Sequence, residues 1–94
     1  MKKRTKSRDL AEMFSISHAR SMEALIKAQL ITAVLKRIEK DGITHGEIAE
    51  KADLPRSSVT GILSGSLQKV TIDRILRIVE AVGLVADVRI RDAA

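Results

Sequence analysis

The 94-residue chain contains no cysteine, tryptophan or tyrosine, and it has one phenylalanine and one proline. Without thiols there is no disulfide, no thiolate metal site and no thiol redox chemistry. With so few aromatics the core must be aliphatic, built from Leu, Ile, Val and Ala. The same lack disfavours single-stranded RNA as a ligand, because unstacked bases are held largely on aromatic side chains. The basic N-terminus is not followed by the apolar stretch of about 7–15 residues that marks a signal peptide. No apolar run approaches the roughly 20 residues of a membrane span. A cytoplasmic protein with no membrane partner is expected. Catalysis is disfavoured too. The two histidines, His18 and His45, are far apart and have no clustered carboxylates around them, which is no metal-ligand set. Glu47 and Glu50 are three residues apart, but Glu47 is better explained as a helix cap. No glycine-rich phosphate loop occurs. The expectation is a non-enzyme that needs neither cofactor nor metal.

What the chain does have is apolar residues, at 45%, and charge, at 31%. The length suits one compact domain with short tails. A domain of this size buries only about 60–65% of its unfolded surface and often gains stability by oligomerising. The net charge of +5 is unevenly placed. Lys2, Lys3, Arg4, Lys6 and Arg8 all precede the first acid, Asp9. Of the seventeen basic residues, twelve remain to face twelve acids, so the rest of the chain is formally neutral. Residues 1–9 read as a basic, disordered arm. Such an arm can pair with DNA phosphates or enter a minor groove, and it can equally be a solvated terminus.

Residues 9–20 are mixed and suit a short helix or an ordered extension. Residues 21–41 lack Gly and Pro and are rich in helix formers. Ala24, Ala28, Ile31, Val34, Leu35 and Ile38 make one apolar stripe at helical spacing. Met22, Leu25 and Ile26 fall outside it, a second face expected to pack on residues 10–16 or to meet a partner. Asp41-Gly42 ends the helix, with Gly42 suited to a left-handed cap. Thr44 and Glu47 form a capping box in which each side chain bonds the other's amide. A second helix then runs to about Ala52, burying Ile48 and Ala49. Asp53-Leu54-Pro55 interrupts it, and Pro55 suits the start of a third helix over about 55–64 that buries Val59 and Ile62. Thr71 can cap a fourth helix that buries Ile72, Ile75, Leu76, Val79 and Val82 and ends at Gly83. After it the period changes to two. Leu84, Ala86, Val88 and Ile90 alternate with Val85, Asp87, Arg89 and Arg91, as in a half-buried strand. A lone strand leaves its ladder groups unpaired. A homodimer paired through Val85, Asp87, Val88, Arg89, Ile90 and Arg91 would supply the missing partner and is the preferred expectation; a strand packed on the same chain and a frayed tail are the alternatives.

Two short helices joined by a tight turn make a helix-turn-helix, whose second helix enters the DNA major groove. Ala49 is small where the helices must approach, and Val59 with Ile62 lock the second onto the first. The outward face offers Arg56, Ser57, Thr60 and Gly61. Between Asp53 and Asp73 the only charged residues are Arg56 and Lys69, both positive, which suits a surface facing phosphates.

The run Thr44-His45-Gly46-Glu47-Ile48-Ala49-Glu50-Lys51-Ala52, with Asp53 to Gly65 and the helix after Thr71, resembles the lambda-repressor-like (Cro/CI, or XRE) helix-turn-helix family. The resemblance covers about residues 24–84. The helix ending at Gly42 and the following strand are most similar to HigA-type antitoxins, which repress their own operon and neutralise a toxin. It implies a mainly α bundle of four to five helices over residues 10–84, with one C-terminal β-strand in residues 85–94. The implied function is a sequence-specific, double-stranded-DNA-binding transcription regulator, a repressor or an autoregulating antitoxin with a cognate toxin as partner. By position, Arg56, Ser57, Thr60 and Gly61 are implied to read bases. Thr44, His45, Ser58, Gln68, Lys69 and Thr71 are implied to contact the DNA backbone. The chain departs from the family at Asp53, where Gly is usual, and at Pro55, where Ser or Thr usually caps the recognition helix. The competing expectation is a protein-interaction module that sequesters a toxin or another partner, with the helix-turn-helix as scaffold.

Overall fold

The computed structural model describes the backbone of residues 2–93 and the side chains of residues 18–93. Four helices follow one another: α1 (Lys2–Asp41), α2 (His45–Ala52), α3 (Arg56–Leu63) and α4 (Ile72–Ala81). The first is much longer than the 21–41 expected from periodicity. Its physical basis is simple, because no Gly or Pro occurs before Gly42 to interrupt the hydrogen-bond ladder. Helix α1 therefore takes in both the mixed segment 9–20 and the backbone of the basic arm, which had been expected as disordered. The arm side chains Lys2, Lys3, Arg4, Lys6 and Arg8 lie outside the described side chains.

Gly42 stops α1 with φ +66, a left-handed turn that costs glycine little. Its amide donates to the Ile38 carbonyl at 2.8 Å. Thr44 then caps α2, its hydroxyl accepting from the Glu47 amide at 3.1 Å. The side-chain bonds of the described residues do not include the reciprocal one from Glu47, so half of the expected capping box forms. Thr71 caps α4 in the same manner, accepting from the Arg74 amide at 3.3 Å.

The core is one cluster. Ile31 and Val34 of α1, Ile48, Ala49 and Ala52 of α2, Val59, Ile62 and Leu63 of α3, and Ile75, Ile78 and Val79 of α4 are buried together with Val82. Helix α2 packs on both α3 and α4, and α1 packs on α4. Two expected core faces shift. On α1, Ala24, Ala28 and Leu35 are exposed and the buried line runs through Lys27, Ile31 and Val34 instead. On α4, Ile78 is buried while Leu76 is exposed and Ile72 half-buried. Met22, Leu25 and Ile26 are exposed. They do not pack on residues 10–16, because those residues continue the same helix and cannot fold back on it.

No strand occurs among the described residues. The alternating segment after α4 is irregular, and Val85, Val88 and Ile90 are 88%, 84% and 91% exposed. Its last backbone bond runs from the Leu84 amide to the Val79 carbonyl at 3.0 Å. A single chain offers this segment no neighbouring strand, so alternation alone forms no ladder.

Candidate nucleic-acid interface

Helices α2 and α3 are separated by Asp53, Leu54 and Pro55 alone, which forces a sharp change of direction. Asp53 makes that turn in the left-handed region, φ 56 and ψ 50, and its amide reaches the Ala49 and Glu50 carbonyls. Leu54 continues the turn through a 3.0 Å bond from its amide to the Ala49 carbonyl. Pro55 is the N-cap of α3 and makes no side-chain cap bond. Its fixed φ of −61 replaces the missing hydroxyl as the device that starts the helix. Its carbonyl accepts from the Ser58 and Val59 amides at 3.0 and 3.2 Å.

Burial of Val59, Ile62 and Leu63 fixes which face of α3 looks out. Arg56, Ser57 and Thr60 are exposed on that side, Gly61 and Ser58 are half-buried, and the expected base-reading set therefore shares one accessible face. A Cβ at Gly61 would meet no atom within 4 Å, so the glycine is not required by packing. The ion pairs among the described residues involve Lys27, Arg37 and Arg77. Arg56 and Lys69 stay with solvent and keep their charge available.

The expected backbone-contacting residues flank this helix. Thr44 and half-buried His45 stand at the entry of α2, while exposed Gln68, Lys69 and Thr71 occupy the connection from α3 to α4. Thr44 and Thr71 already use their oxygens as cap acceptors. Each hydroxyl hydrogen remains able to donate.

Two relationships escaped sequence reasoning. His45 Nδ1 lies 3.0 Å from Thr60 Oγ1, which joins the start of α2 to the outward face of α3. Fifteen residues separate them, and no local pattern signals the pair. The second is Lys27, only 4% exposed, whose Nζ donates to the Leu67 carbonyl at 3.0 Å. Here a signal existed. Lys27 precedes Ile31, Val34 and Ile38 at spacings of four, three and four residues, the rhythm of the buried stripe.

The helix-turn-helix domain family matches residues 10–91, nearly the whole of the described chain. The chain belongs to this helix-turn-helix family. Comparisons with curated proteins and with solved structures return no significant match. A helix-turn-helix domain points to DNA as the ligand. Among the described residues, no helix is long and apolar enough to cross a membrane.

Proposed function

We infer that the protein is a sequence-specific regulator of transcription that inserts α3 into the major groove of double-stranded DNA. The observation that carries this reading is the outward face of α3, with Arg56, Ser57 and Thr60 exposed and no acidic residue from Leu54 to Ile72. Arg56 is the principal base reader, since its planar fork can take guanine O6 and N7 together. Ser57, Thr60 and Gly61 complete the reading surface. Thr44, His45, Ser58, Gln68, Lys69 and Thr71 hold the backbone, fixing register without adding sequence information. The likeness to Cro/CI (XRE) proteins favours repression, and the further likeness to HigA-type antitoxins favours an autoregulating antitoxin with a toxin partner.

A recognition helix with one arginine binds weakly alone, so a homodimer belongs to this reading. Two copies paired along residues 85–91 would carry two α3 helices to half-sites about one DNA turn apart. Support comes from the exposure of Val85, Val88 and Ile90. A second reading, a surface that holds a partner protein, is favoured by exposed Met22, Leu25 and Ile26 on α1. The two can coexist in one antitoxin.

The deciding experiment is selection from a randomised double-stranded DNA library, followed by titration of the selected site. Arg56→Ala should lower discrimination between selected and scrambled DNA by about 1–3 kcal/mol. Lys69→Ala should weaken both alike and flatten the salt dependence by about one phosphate contact. Equal binding of both DNAs by wild type and Arg56→Ala would remove α3 from the role of reader.

A further inference from the structure

The hydrogen bond between His45 and Thr60 connects residues that the functional reading gives to different tasks, one to the DNA backbone and one to a base. Their Nδ1 and Oγ1 atoms are 3.0 Å apart. Two other hydroxyls among the described residues turn back on their own stretch of chain. Thr32 donates to the Ala28 carbonyl and Ser64 to the Gly61 carbonyl, each at 2.8 Å. The Thr60 hydroxyl is instead committed sideways, to the imidazole at the entry of α2.

That commitment fixes what Thr60 has left to offer. A hydroxyl carries one hydrogen and two lone pairs, and a neutral imidazole has one donor and one acceptor nitrogen. With the ring hydrogen on Nε2, the tautomer that a neutral imidazole prefers in water and the one we take for His45, Nδ1 is an acceptor and Thr60 donates its only hydrogen to it. What remains on the exposed face of α3 is a pair of oxygen lone pairs and a methyl group. Lone pairs read donors, and the donors on base edges in the major groove are the exocyclic amines, N6 of adenine and N4 of cytosine.

We propose that His45 is a specificity-determining positioning residue: it holds Thr60 as a hydrogen-bond acceptor, so that α3 selects an exocyclic amine at the base pair facing Thr60. The inference rests on α3 being the recognition helix. His45 acts through Thr60 and touches no base itself.

The test uses the full chain and the DNA site selected from a randomised library, with each single-base variant titrated by fluorescence anisotropy. Thr60→Val locates the base pair that Thr60 reads. His45→Asn and His45→Gln then separate the two ring nitrogens, because an asparagine amide stands where Nδ1 stands and a glutamine amide reaches the place of Nε2. His45→Asn should keep the preference at that base pair. His45→Gln should relax it roughly 2- to 12-fold, the value of one neutral hydrogen bond, and leave other positions unchanged. A site carrying purine in place of the adenine there, or 2-pyrimidinone in place of the cytosine, should bind wild type more weakly by the same factor and Thr60→Val with no loss. An amine deletion without effect on wild type overturns the proposal. So does a His45→Gln variant that loses affinity equally on every site. If wild type selects no sequence at all, the functional reading fails and this inference with it. If wild type selects a site indifferent to Thr60→Val, this inference alone fails.

Discussion

Lys27 Nζ donates to the Leu67 carbonyl at 3.0 Å, and the same carbonyl accepts the Val70 amide at 3.2 Å. Both lone pairs of one backbone oxygen are thus used, one by the loop itself and one by α1. Lys27 is almost fully buried, and its nearest acid, Glu23, stands 3.8 Å away with half its side chain in solvent. The lysine consequently holds the α3–α4 connection, which carries Gln68 and Lys69, against the first helix. Lys27→Met keeps the apolar stem but removes the donor. It should cost about 1.5–3 kcal/mol, the net worth of a hydrogen bond from a charged donor, since the Leu67 carbonyl keeps the Val70 amide, read as a lower denaturation midpoint. Hydrogen exchange at the Val70 amide should quicken. Unchanged stability and exchange would mean that water replaces the ammonium freely.

The helix-turn-helix itself was legible because local rules decide it. Thr44 acts through its own hydroxyl on a neighbouring amide, and Gly42 and the Asp53–Pro55 turn act through their own backbones. The buried faces of α2 and α3 follow from short helices with one apolar side. Faces set by distant packing were harder to read. Ile78 and Leu76 are both apolar, and only the position of α4 against α1 and α2 buries one and exposes the other. Lys27 was hidden by its charge, although its spacing matched the stripe. The strand expected after Leu84 failed for a different reason, since alternation specifies which side chains face alike but supplies no partner backbone. The His45–Thr60 contact depends on how two helices cross, which no spacing along the chain encodes.

Asp53 holds φ 56, a region that disfavours any residue with a Cβ by about 1–2 kcal/mol. Asp tolerates it better than most, so only part of that cost is recoverable. Asp53→Gly should raise stability by about 0.5–1 kcal/mol and leave DNA affinity unchanged, because the backbone keeps its course. Asp53→Val should destabilise by more than the glycine gains. A thermal melt of the three proteins orders them, and a glycine variant less stable than wild type would contradict the strain assigned to this turn.

Gly61 sits inside α3 without a positive φ, and the space beside it is open. Packing therefore gives no reason for a residue that weakens a helix interior by about 0.8–1.0 kcal/mol relative to alanine. Gly61→Ala should stabilise the free protein by about that amount. Its affinity for the selected DNA should nevertheless fall if the bare backbone approaches a base edge. Opposite signs in the melt and the titration are the expected signature. A variant that gains stability and binds as tightly as wild type would place this part of α3 away from the DNA.

Residues 85–93 follow the last backbone bond of the C-terminal segment and leave three large aliphatic side chains almost wholly in water. One exposed apolar residue is ordinary, whereas three within six positions on an unladdered backbone favour an interface. Deleting residues 85–94 removes the segment without touching the buried cluster of α1 to α4, so the melting transition should survive. Sedimentation should then report a dimer for the full chain and a monomer for the truncated one. Binding to a site with two half-sites should weaken far more than binding to a single half-site, because only the former uses the linkage between two recognition helices. A truncated chain that still sediments as a dimer would move the interface to the other exposed apolar surface, Met22, Leu25 and Ile26 on α1.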